Sequence, residues 1–140
     1  MSARSKARKQ ALDILFESDI RSHPPLEILE ARLQDQTGPE ARPIREYASL
    51  LVHGVTDHRR KIDELISTYA QGWDMDRLPT VDRNILRLAI FEILWSEEIP
   101  DPVAIDEALN MAKLLSTEES AGYIHGVLGR VSSIKSDLAL

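Results

Sequence analysis

The chain has 140 residues, 43% of them hydrophobic, and no cysteine. That length buries one core within the usual size of a single domain, and the missing cysteine excludes disulfides, thiolate zinc sites and thiol nucleophiles. No apolar run approaches the ~18 residues a membrane span needs, and the basic N-terminus lacks the apolar stretch of a signal peptide, so the chain is expected in the cytoplasm.

The formal net charge of −6 argues at first against a polyanionic partner. Its distribution reverses the argument. Residues 1–10 hold Arg4, Lys6, Arg8 and Lys9 and no acid, so that they carry +4 and the remainder −10.

In chain order, Ala7, Ala11, Leu12, Ile14, Leu15 and Phe16 recur at helical spacing and predict a first helix from about Ala3 to Ile20, stopped by His23-Pro24-Pro25. Leu26, Leu29 and Leu33 mark a short second helix, which ends at a polar loop from Gln34 to Pro43. From Ile44, the residues Tyr47, Ala48, Leu51, Val52 and Val55 share one helical face, and Ile62, Leu65, Ile66 and Tyr69 continue the period as one bent helix or two. Pro79 and Thr80 precede a strongly apolar helix through Val81, Ile85, Leu86, Leu88, Ile90 and Leu94, wide enough in its apolar surface to sit centrally. Asp101 reads as an N-cap with Pro102 at the first helical position, and Ser116 with Glu119 reads as a capping box before Tyr123, Ile124, Val127, Leu128 and Val131. No segment alternates at hairpin spacing. The expected fold is all-α: six or seven helices in two packed sub-bundles, about 1–57 and 58–135, forming a single domain.

The first helix places four cations where its dipole favours acids, each mildly unfavourable by a few tenths of a kcal/mol, so something other than helix stability selects them. On a helical wheel Arg4 and Arg8 extend the stripe of Ala11 and Leu15, while Lys6 and Lys9 point elsewhere. Cations all round the helix suggest first turns that overhang the core and offer free N–H groups to phosphate. The competing reading is a solvated terminus in which Lys9 pairs with Asp13 one turn on.

Three segments, in order and spacing, carry a family likeness. They are the stretch Ala7 to Phe16, the block Arg77 to Glu92 containing Val81-Asp82-Arg83 and Ile85-Leu86-Arg87, and Val103 to Ala108 with Lys113 and Tyr123 to Leu128. Together they resemble the NusB family across nearly the whole chain. The resemblance implies an all-helical transcription antitermination factor that binds boxA-type single-stranded RNA of ribosomal RNA leader transcripts with the ribosomal protein NusE, in the transcription elongation complex. It implies that Arg4, Lys6, Arg8, Lys9, Arg83 and Tyr123 contact RNA and that Phe16 and Asp82 meet NusE. Tyr123 would stack on an unpaired base, or else is an ordinary core tyrosine. His125 stands where the family usually has asparagine, and Gly129 where it often has aspartate.

No other pattern supports chemistry. Adjacent acids such as Glu97-Glu98 and Glu118-Glu119 diverge by about 100° on a helix and do not face one substrate. His53 and His58, five residues apart, are off the spacing of a helical zinc site, and there is no phosphate-binding glycine loop or nucleophile elbow. Arg87 and Glu92 on the apolar helix read as paired groups that fix packing. The chain is therefore expected to be no enzyme and to need no metal or cofactor. An alternative is a homodimeric protein-interaction adaptor without direct RNA binding, its basic start taken by an acidic surface.

Overall fold

The computed structural model describes residues 1–35, 38, 42–70 and 75–140, with Asp76 described by its backbone alone. Among these there are seven α-helices and no strand, all-α as the periodicity predicts. The chain divides into two compact units, Met1–Asp57 and His58–Leu140.

The first unit is built from α1 (Ala3–Arg21), α2 (Pro25–Gln34) and α3 (Glu46–Asp57), each packed on the other two. Ser2 caps α1 by accepting from the Ser5 amide at 3.1 Å. The helix stops one residue past the predicted end, because Ser22 takes the left-handed conformation (φ 54°), the one non-glycine residue among those described to do so. Ser18 fastens the turn, its hydroxyl donating to the His23 carbonyl at 2.5 Å while its own carbonyl accepts from the His23 amide. Pro25 then opens α2 with its fixed φ and no orphaned N–H. Ala7, Ala11, Leu12, Ile14 and Leu15 of α1 are buried, as are Ile28, Leu29, Ala48, Leu51, Val52 and Val55. Half of the predicted loop from Gln34 to Pro43, residues 36, 37 and 39–41, lies outside the described residues.

The second unit holds α4 (Arg59–Tyr69), a 3-10 turn at Met75–Arg77, α5 (Thr80–Trp95), α6 (Asp101–Leu115), α7 (Glu118–Ile134) and a second short 3-10 turn at Lys135–Asp137. The open question of one bent helix or two is settled at His58, which breaks the helical run with φ −112° and ψ 15° and stacks its ring on Trp95 with centroids 3.9 Å apart. Helix α5 is central: α4, α6 and α7 all pack on it, and Asn84 to Ile93 is an unbroken buried run.

Two cap assignments are corrected by one residue. Pro100, not Asp101, flanks α6, so Asp101 lies inside the first turn with Pro102 after it. Its carboxylate instead reaches α7 and the 3-10 turn after it, accepting from Ser132 Oγ at 2.6 Å and Lys135 Nζ at 2.8 Å. Likewise Thr117, not Ser116, caps α7 by accepting from the Ser120 amide at 2.9 Å.

The polar residues of α5 lie inside. The Arg87 guanidinium forms a forked pair with Asp63 of α4, Nε to Oδ1 at 2.9 Å and Nη2 to Oδ2 at 3.2 Å, and its Nη1 donates to Asn84 Oδ1 at 2.9 Å. That is the packing role expected of it, fixing how α4 meets α5.

Candidate nucleic-acid interface

The residues singled out from the sequence fall into two sets, one in each unit.

In the first unit, Arg4 and Lys6 are exposed, Lys9 is half-buried and Arg8 is 2% exposed. The expectation of an overhanging stub is therefore corrected. Ala7 and Arg8 already belong to the packed face, because the stripe of Ala11 and Leu15 runs on through them. Burying a guanidinium requires compensation, and part of it comes from Tyr47 of α3. The Arg8 guanidinium carbon lies 5.8 Å from that ring's centroid, and the exposed Arg4 lies 5.2 Å from the same ring. A cation over a tyrosine face gains about 0.5–2 kcal/mol depending on how far it is desolvated. The free N–H groups are also fewer than expected, since Ser2 takes the Ser5 amide.

Lys9 does pair with Asp13, Nζ to Oδ1 at 2.6 Å, as the competing reading holds. Both partners are roughly half exposed, so the pair is worth ~0–1 kcal/mol and opens readily to another anion. Lys6 and Lys9 line a groove of about 1070 Å³ along α1, whose opposite wall is the segment Arg42-Pro43-Ile44-Arg45 that leads into α3. Phe16 lies on α1, 41% exposed, and Ile20 one turn further on is 61% exposed. Two large apolar side chains, one above the other on a helix, form a small sticky strip.

In the second unit, Asp82 and Tyr123 line one pocket of about 200 Å³, together with Leu78, Pro79, Thr117, Glu119 and Ser120. It is smaller than the ~300 Å³ at which ligand pockets usually begin, which suits one planar group rather than a whole metabolite. Asp82 is in the first turn of α5, where the helix dipole favours an acid. It is 2% exposed. Its Oδ2 accepts from Ser120 Oγ at 2.7 Å, and Ser120 in turn accepts from the hydroxyls of Ser116 and Thr117. Its Oδ1 is buried with no hydrogen-bond donor among the described residues. A buried carboxylate oxygen without a donor costs about 1–3 kcal/mol or more, so an N–H or O–H that enters the pocket, from water or from a ligand, is favoured there. The Tyr123 ring is half-buried, and its ionisation is pushed above the usual tyrosine value, first by burial and then by the neighbouring Asp82 charge.

Arg83, which the sequence placed beside Asp82, turns away from that pocket. It is half-buried, and its Nη1 donates to the Met75 carbonyl at 3.1 Å, bracing the 3-10 turn before α5.

Sequence reasoning missed several residues of these surroundings. In the sequence Tyr47 reads only as part of an apolar face, yet its ring takes two arginines. Arg42 and Arg45 flank a proline beside a polar run and look like loop solvation. Thr117, Glu119 and Ser120 belong to the cap of α7, and only the packing of α7 on α5 carries them to Asp82.

The NusB family model matches residues 5–133. A curated relative, the transcription antitermination protein NusB of Acidothermus cellulolyticus, is 54% identical over 131 residues, covering 94% of this chain and 88% of its own. Among solved structures, NusB of T. maritima superposes with a TM-score of 0.80 at 34% identity, covering 98% of this chain and 99% of its own. A chain from the crystal structure of the antitermination factors NusB and NusE in complex with dsRNA superposes with a TM-score of 0.77 at 26% identity, covering 93% of this chain and 96% of its own. The protein belongs to the NusB family.

Proposed function

We propose that this protein is a transcription antitermination factor that binds boxA-type single-stranded RNA together with the ribosomal protein NusE, as part of a cytoplasmic transcription elongation complex. The observation that carries this reading is the exposed basic start of α1 on an otherwise acidic chain, in a family with a member crystallised with NusE and dsRNA. It acts by binding and performs no reaction, and both units contribute as one RNA-binding domain.

In this reading Arg4, Lys6 and Lys9 meet phosphate oxygens, while Arg8 contributes from below by holding Tyr47 under Arg4. Tyr123 offers its ring to an unpaired base, a contact worth ~1–3 kcal/mol, and Arg83 supports RNA beside it through the turn it braces. Phe16 and Asp82 meet NusE: the one supplies an exposed apolar anchor and the other an acceptor for a donor of the partner.

The test is a titration with boxA-type RNA at several salt concentrations, with and without NusE, against a scrambled RNA. Preference for boxA over the scramble, strengthened by NusE, is the expected outcome. Replacing Arg4, Lys6 and Lys9 by alanine should weaken binding and flatten its salt dependence by about 0.7 in log–log slope per lost contact. Equal affinity for the scramble with NusE present sinks the reading.

A further inference from the structure

The groove along α1 holds more positive charge than the sites inferred from the sequence use. Besides Lys6 and Lys9 it is lined by Arg32, Arg42 and Arg45, against the carboxylates of Asp13 and Asp35. Lys9 is tied to Asp13 and Arg32 to Glu17. None of the ion pairs among the described residues engages Lys6, Arg42 or Arg45, all three of which are exposed.

The second wall of the groove is held in place by one side chain. The Gln10 amide donates from Nε2 to the Pro43 carbonyl at 3.0 Å and accepts at Oε1 from the Arg45 amide at 3.0 Å. An amide that both gives and takes in this way mimics a neighbouring strand. It fastens to α1 a segment that has no regular structure of its own and carries an arginine on each side of the pinned proline. Holding the backbone that carries these two arginines before a ligand arrives removes part of the entropy cost of binding.

We propose that this groove is a second phosphate track, in which Arg42 and Arg45 grip the backbone of a single-stranded RNA whose neighbouring phosphates lie on Lys6. Forked guanidinium groups suit phosphate oxygens. The groove's apolar lining is limited to Met1, Pro43 and Ile44, without the aromatic anchor around which protein interfaces concentrate their energy, so RNA fits it better than an acidic protein. The inference rests on the RNA-binding reading above and adds to it a wall that no residue inferred from the sequence occupies.

The experiment compares the unaltered protein with R42A/R45A, K6A and Q10A, titrated with boxA-type RNA in the presence of NusE over a series of salt concentrations. A glutamate oligopeptide serves as the protein-like polyanion. The double variant should lose about 25-fold in affinity at 0.1 M salt and about 1.4 in log–log slope, as expected for two contacts to a single strand. Q10A should lose affinity in the same direction by a smaller factor, with unchanged helix content. If K6A flattens the salt dependence while R42A/R45A leaves it intact, the second track is wrong and RNA binding by α1 stands. If the unaltered protein binds no RNA, both fall. If the oligopeptide binds as tightly as RNA and loses as much in the double variant, the groove is a protein site and the inference is overturned.

Discussion

Both units carry ion pairs on their rims, Arg60 with Glu64 and Arg59 with Asp63 among them in the second, but they differ in the charge they take inside. In the first, ion pairs lie on the rim: Glu17 of α1 meets Arg21 of the same helix and Arg32 of α2, and Lys9 meets Asp13, all in reach of water. In the second, α5 carries Asp82, Asn84, Arg87 and Glu92 into the interior. A rim pair contributes little and can be traded for a ligand's charge, whereas an interior pair fixes one arrangement of helices and is costly to break. The unit whose charges can be redirected is also the one with the basic groove. The other presents a rigid buried acceptor, Asp82 Oδ1, in a preformed pocket. One surface is built for general attraction and the other for selection.

The largest test of that contrast is Asp63→Ala. It leaves the Arg87 guanidinium, whose side chain is 5% exposed, without its forked partner, and should cost about 3–5 kcal/mol in denaturant unfolding with an unchanged m-value. Arg87→Met, which removes the buried charge and leaves Asp63 able to reach water, should cost less. The reverse ranking breaks the picture of an interior pair.

Arg8 is the exception in the first unit, and Arg8→Met sharpens the contrast. Loss of its interaction with Tyr47 should lower stability by about 1–2 kcal/mol, while Arg4→Ala should lower RNA affinity and leave stability within ~0.5 kcal/mol. Unfolding curves set beside RNA titrations separate the two effects.

Smaller in size is the gain from Gly126→Ala on α7. A Cβ there meets no atom within 4 Å, so the variant should gain about 0.5–1 kcal/mol from the reduced freedom of the unfolded chain. A stabilised protein with weakened RNA or NusE binding would show that this open face of the second unit is itself covered by a partner.

The smallest effect belongs to Glu17. Its carboxyl is held below the usual range, first by the hydrogen bond from Arg32 and then by Arg21, with partial burial opposing them. A group whose folded pKa is lowered adds stability that is fully present at neutral pH and is lost as pH falls through that lowered value. Glu17→Gln should therefore be less stable than the unaltered protein at neutral pH, by no more than ~1 kcal/mol for a rim pair. The two should converge in acid thermal melts.

Much of this arrangement is legible in the sequence, for reasons that also mark where reading fails. The apolar periods of α1, α3 and α5 specify helices because each must bury a stripe. The width of the stripe on α5 marks it as central. The stripe on α1 continued through Arg4 and Arg8, and for Arg8 the position on the stripe prevailed over the charge, because Tyr47 supplied a face for it. The caps at Asp101 and Ser116 were misplaced by one residue. Pro100 and Pro102 flank the same start, and Ser116 and Thr117 are equally good capping chemistries, so only tertiary partners decide between neighbours. The groove was illegible because Gln10 and Pro43 are far apart in the chain, and nothing in a lone glutamine announces that it will hold a distant backbone.

The stacking of His58 on Trp95 gives the break between α3 and α4 an optical handle. An imidazole 3.9 Å from an indole and nearly parallel to it is in contact with the fluorophore, so its departure alters the indole emission. With Trp73 replaced by phenylalanine, Trp95 becomes a label-free reporter of whether the first turn of α4 remains seated on α5. Its brightness, followed during RNA or NusE binding, reads out loosening at that break in real time.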